Sequence, residues 1–180
     1  MRFKGPFSLA LVLAGPLMAG ACPNPAVVSE DHTNLFDTLK TSPTEMAGLS
    51  IQNQIWELWI VAPDEQSQLM LDDGRERIRY GDYERAENVF SELIEYCPSY
   101  AEGWNQRAFL RFLRQDYGRA LDDITEALKL EPLHFGALAG RATTLINMGR
   151  TEVGVEALRE AIKVNPWLSE RHMMPRGEDL

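Results

Sequence analysis

The sequence predicts an all-α fold of stacked helix–turn–helix units. Three observations carry that prediction. Pro98, Pro132 and Pro166 stand 34 residues apart. Small and bulky residues recur at matching offsets between them: Gly74, Ala108 and Ala142; Ala86, Ala120 and Gly154; Phe90, Ile124 and Leu158. Turn residues recur too, as Gly81-Asp82-Tyr83, Gln115-Asp116-Tyr117 and Gly149-Arg150-Thr151. A fixed period of this length marks helix pairs that cannot bury their apolar faces alone and must stack.

The elements follow in order. Arg2 and Lys4 open the chain, an uncharged apolar run extends from Phe7 to Ala19, and Ala19-Gly20-Ala21 supplies small residues at a cleavage spacing. Residues 1–21 therefore read as a secretory signal peptide. The apolar run is shorter than the ~20 residues a membrane-spanning helix needs, and Pro16 interrupts it. The expected location is exported and periplasmic.

Residues 22–66 form an arm and two helices. Pro23 and Pro25 keep the arm extended. Ser29 caps the first helix, whose apolar stripe is Leu35, Phe36 and Leu39. Ser42-Pro43-Thr44-Glu45 starts the second, with a capping serine, proline at the first helical position and glutamate three residues after the cap. That helix runs to about Val61, and Ile55, Trp56, Leu58 and Trp59 put apolar groups on more than one face. The pair reads as a cap before the array, with a degenerate repeat as the alternative.

Residues 67–168 are the array: 67–100, 101–134 and 135–168. In each second helix the aligned apolar positions, such as Ala86, Phe90 and Leu93, are spaced i, i+4, i+7 on one face. The small residues let the two helices of a pair approach closely. The bulky residue fills the gap between neighbouring pairs, and the proline ends the unit. Residues 169–180 form a short tail. Pro175-Arg176-Gly177 cannot extend a helix, so the last repeat is expected to lie partly bare, with Trp167, Leu168, Met173 and Met174 free to fold over it or meet a partner.

The two cysteines leave two readings open. Export places Cys22 and Cys97 in an oxidising compartment, where they can form one disulfide. Alternatively, Met18-Ala19-Gly20-Ala21-Cys22 resembles a lax bacterial lipobox, departing from it at Ala19, where leucine is usual. Acylation of Cys22 would leave Cys97 unpaired, and each reading consumes the Cys22 thiol.

Charge and motifs narrow the function. The net charge of −9 argues against nucleic acid and anionic membrane, which are bound through basic patches. His32, His134 and His172 stand in no metal-ligand spacing, and His134 reads as an exposed loop histidine. Asp122 and Asp123 are adjacent on a helix, so their side chains diverge by about 100° and cannot flank one atom. No phosphate loop or nucleophile elbow is present in the sequence. No enzyme activity, cofactor, metal or small-molecule substrate is expected. Arg107 and Arg141 recur at one position, as do Asp122 and Glu156. The frame predicts an Arg107–Asp122 and an Arg141–Glu156 ion pair.

These repeats resemble the tetratricopeptide repeat family over residues 67–168. The middle repeat fits best, at Trp104, Ala108, Tyr117, Ala120, Ala127 and Pro132. The first departs at Met70, Asp73 and Arg77, the third at Thr151 and Gly154. The resemblance implies a superhelix that binds a protein or peptide on its concave face, lined by the first helix of each pair. Carried onto this chain, the candidate partner-binding residues are Leu71, Arg75, Arg79, Asn105, Phe109, Phe112, Thr143 and Asn147. The family's carboxylate clamp needs Lys and Asn at set positions. Leu71, Gln106 and Gly136 occupy several of these, so that mode is not expected. Phe109 and Phe112 are the main anchors, with Arg75 and Arg79 placed to orient an acidic end of a ligand. Membrane association is expected only if Cys22 is acylated.

Overall fold

The computed structural model describes residues 22–23 and 30–175. The expected signal peptide, the arm after Pro23 with its Ser29 cap, and the last five residues lie outside them. Among the described residues there are eight α-helices and a terminal 3₁₀ turn. The helices are α1 (Glu30–Thr41), α2 (Glu45–Trp59), α3 (Glu65–Arg79), α4 (Tyr83–Tyr96), α5 (Ala101–Leu113), α6 (Tyr117–Leu130), α7 (Phe135–Asn147) and α8 (Thr151–Val164), and the 3₁₀ turn is Ser169–Met173.

Helices α3/α4, α5/α6 and α7/α8 are the three antiparallel pairs. Their turns share one frame position with positive φ: Gly81 at 75°, Gln115 at 60° and Gly149 at 80°. Two of the three are glycines, which take that conformation without a Cβ penalty. The aligned bulky residues Phe90, Ile124 and Leu158 are buried, as are Ala86, Ala120, Ala108 and Ala142. Gly154 has a packing reason: a Cβ there would lie 2.6 Å from the Ile146 side chain and 2.9 Å from its backbone nitrogen. The close approach of α7 and α8 thus outweighs the roughly 1 kcal/mol that glycine costs within a helix.

The starts of α2 and α3 depend on local capping. Thr44, not Ser42, caps α2, accepting from the Ala47 N–H at 3.3 Å. Ser42 instead donates its hydroxyl to the Thr38 carbonyl of the preceding helix. Asp64 and Ser67 form a capping box at α3. The Ser67 hydroxyl and N–H, with the Tyr96 hydroxyl, hold the Asp64 carboxyl below the usual carboxylate range. The same group thus joins the start of α3 to the end of α4.

The N-terminal helices do not simply extend the stack ahead of the first repeat. They lie against the third. Phe36 and Leu39 of α1 and Ile55 and Trp59 of α2 share one buried cluster with Phe135, Leu138, Ala139, Ala161 and Leu168. The Trp167 indole N–H donates to the Leu39 carbonyl at 2.9 Å, and Asn165, fully buried, donates its amide to Gln52 at 2.7 Å. The last repeat is therefore covered, by the opposite end of the chain. Met173 and Met174 fold against Leu145, Ala157 and Leu158.

The charge pairs also differ from the expected ones. Arg107 grips Asp123 through two nitrogens, at 3.0 and 2.8 Å, while Asp122 stays exposed. Arg111 joins the same carboxylate at 2.7 Å and reaches Glu87 at 3.2 Å. Asp123 lies on the buried face of α6 with Ala120, Ile124 and Ala127, so the helical face, not the repeat frame, selects it. Glu156 pairs with Arg159 on its own helix, and the Arg141 Nε is buried without a hydrogen-bond partner. Asp123→Asn is expected to lower stability by about 2 kcal/mol, since Arg107 loses its counter-charge and Arg111 keeps only Glu87. Asp122→Asn should change it by less than about 0.5 kcal/mol. Urea unfolding of the two variants checks this, and equal losses would contradict it.

Candidate functional site

The loop that follows each helix pair is occupied by the N-terminal helices. Tyr100, His134 and Leu168 share one position in the 34-residue frame and are all buried, Tyr100 and His134 meeting α2 and Leu168 meeting both α1 and α2. The Tyr100 hydroxyl donates to the Trp59 carbonyl at 2.7 Å, and burial, with the nearby charge of Glu102, pushes its phenol pKa up. The His134 ring stacks on Trp59 at 4.0 Å and 11°. Leu168 packs with Phe36, Leu39 and Ile55. Gly136 lets α2 come this close, because a Cβ there would fall 2.5 Å from the Trp56 ring.

His134 is therefore not an exposed loop histidine. It is 0% exposed and caps α7, with Nδ1 accepting from the Ala137 N–H at 3.2 Å. Its Nε2 lies 2.9 Å from the buried Glu102 carboxylate. A nitrogen that accepts carries no proton, so the proton of the neutral ring is on Nε2 and is donated to Glu102. Glu102 also accepts from Asn105 at 2.9 Å and from Gln106 at 2.6 Å.

Two cavities lie along the first helices of the pairs. A cavity of about 440 Å³ lies between α5 and α7, with Phe109 and Phe112 on one side and Trp56 and Gln52 of α2 on another. Asn105, Thr143 and the chain from Leu168 to Glu170 complete its lining. Phe109 is 49% exposed. A second cavity of about 580 Å³ adjoins the first through Gln106 and Phe109, and holds Asp72, Arg75, Glu76, Ile78 and Arg79.

The structure thus brings together Asn105, Phe109, Phe112 and Thr143 in one cavity and Arg75 and Arg79 in its neighbour. Two candidates fall elsewhere. Leu71 is fully buried with Phe90, Leu93 and Leu110, because its face of α3 packs on α4 and α5. Asn147 is exposed, lines neither cavity, and donates its amide to the Thr143 carbonyl one turn back. Asp72 and Glu76 balance the two arginines, so the second cavity is not the cationic end expected from Arg75 and Arg79 alone. Nothing in the repeat pattern points to Gln52, Trp56 and Glu170, which lie outside the repeats and reach the cavity only through the chain's closure. Cys22 and Cys97 are joined as a disulfide, with their Cα atoms 5.2 Å apart.

Known proteins match this arrangement. Residues 136–166 match the family model described as tetratricopeptide repeat. A TPR repeat-containing protein of Rhizobium etli is 32% identical over 132 residues, which is 73% of this chain and 65% of that protein's length. The Arabidopsis OM64 TPR domain superposes with a TM-score of 0.58 at 20% identity, covering 59% of this chain and 88% of the domain. The first TPR of Spaghetti (RPAP3), bound to the HSP90 peptide SRMEEVD, gives 0.58 at 17% identity, covering 61% of this chain and 88% of that one. The period, the three helix pairs, the matched third repeat and the solved structures agree: the chain has the tetratricopeptide-repeat fold.

Proposed function

We infer that the chain is an exported, non-catalytic adaptor that binds a segment of a protein partner in the open part of its concave face. One observation carries this reading. Phe109 stands half-exposed beside Phe112 over a cavity of about 440 Å³, while the neighbouring apolar side chains Leu110 and Ile124 are buried. An apolar anchor left bare at the mouth of a concave site gains from a partner that removes it from water. The peptide held by the RPAP3 domain supports a polypeptide ligand. Export rests on the N-terminal sequence pattern and is supported by the Cys22–Cys97 bridge, a linkage that persists in oxidising compartments. Acylation at Cys22 needs the thiol that this bridge uses, and the intact mass of the exported protein separates the two forms.

The test is capture of the native partner by the intact chain and by Phe109→Ala/Phe112→Ser. The double variant is expected to lose the partner, with helical content by circular dichroism unchanged. Partner capture that survives both substitutions would overturn the reading.

A further inference from the structure

The inference deepens the adaptor reading and rests on it. We propose that the cavity beside Phe109 is a cation pocket, which takes the side chain of a lysine or arginine presented by the partner protein.

The buried Glu102 sets the polarity of this pocket without lining it. Its two oxygens accept from the Gln106 amide at 2.6 Å, the Asn105 amide at 2.9 Å and the His134 ring at 2.9 Å. Asn105 and Gln106 both line the cavity. Each turns its NH₂ group toward the carboxylate, which turns its carbonyl oxygen away from it. The polar wall of the cavity thereby becomes rich in acceptors.

Glu170 is the one ionised residue among those lining the cavity. Among the described residues it accepts only from the Ser169 hydroxyl, at 3.1 Å, and pairs with no cation. Arg171, beside it in sequence, is engaged by Glu45 at 2.8 Å. The aromatic rings of Trp56, Phe109 and Phe112 complete the lining. Aromatic faces attract a cation, and apolar walls suit the aliphatic stem of lysine or arginine.

The alternatives fit less well. A carboxylate would meet Glu170 and the amide oxygens, all negative. A purely apolar side chain would bury those acceptors without donors. Arg75 and Arg79 lie in the adjoining cavity, where Asp72 and Glu76 balance them. The chain's net charge of −9 favours encounter with a basic segment.

Blocked peptides identical but for one central lysine, arginine, norleucine or glutamate test this when titrated into the intact chain, with backbone amide chemical shifts as the readout. The lysine and arginine peptides are expected to bind about tenfold more tightly than the norleucine peptide. They should shift the amides of Phe109, Gly140 and Ser169, and the glutamate peptide should bind most weakly. Glu170→Gln should remove most of the preference for the basic peptides and leave the norleucine peptide unchanged. Norleucine binding as well as lysine, or a basic preference that survives Glu170→Gln, overturns the cation pocket but leaves the adaptor reading intact. No groove shift with any peptide overturns the pocket. Partner capture that also survives the Phe109/Phe112 double variant removes both.

Discussion

His134→Ala is expected to destabilise the fold by about 3–5 kcal/mol, among the largest losses available from one substitution. Three interactions end together. The Glu102 carboxylate, 1% exposed, loses one of its three donors and stays buried. Helix α7 loses the cap on the Ala137 N–H, worth about 1 kcal/mol. The stack on Trp59 disappears, worth about 0.5–1.5 kcal/mol. For a domain of this size the melting temperature should fall by roughly 10 °C. His134→Asn should recover about 1 kcal/mol, because asparagine caps well but reaches neither Glu102 nor Trp59 in the same way. Urea unfolding of the two variants decides the matter. A loss below about 1 kcal/mol for His134→Ala would show that Glu102 finds another donor.

The same residue marks the limit of what the sequence reveals. The helix pairs, their turns and their buried faces were legible because each follows from chemistry that repeats every 34 residues. Gly81, Gln115 and Gly149 occupy one turn position for that reason. Contacts between the chain's ends have no local pattern. Asn165 meets Gln52 across 113 residues, and Trp167 meets Leu39 across 128. The frame sets His134 in line with Tyr100 and Leu168, two residues that favour burial. The i, i+3, i+4, i+7 face of α6 likewise contains Asp123 and excludes Asp122. Phe109 and Phe112 were readable as groove residues because α5 belongs to the repeat. Trp56 and Glu170 belong to no repeat, so only the folded chain places them in the same cavity.

Closure of the array changes what the disulfide is expected to do. In an open array each unit touches only its neighbours, and stability is close to a sum of local terms. Here α1 and α2 bind the third repeat, while Cys22 is bonded to Cys97 at the end of the first. Cys22→Ala should lower stability by up to about 4.5 kcal/mol, since the bond closes a separation of 75 residues and restricts the unfolded chain. The bond need not hold α1 and α2 in place. Phe36, Leu39, Ile55 and Trp59 are each at least nine-tenths buried, and burial of such side chains contributes about 1.5–3 kcal/mol apiece. In Cys22→Ala, and in the wild type under a dithiol reductant, the amides of α1 and α2 should stay protected from hydrogen exchange as long as those of the third repeat. His134→Ala should instead raise exchange in α2 relative to α3, because it weakens the docking itself. Exchange of α1 and α2 well ahead of the third repeat in Cys22→Ala would assign the closure to the disulfide and not to the aromatic contacts. Unchanged urea unfolding in that variant would show that the cross-link does not limit the unfolded chain.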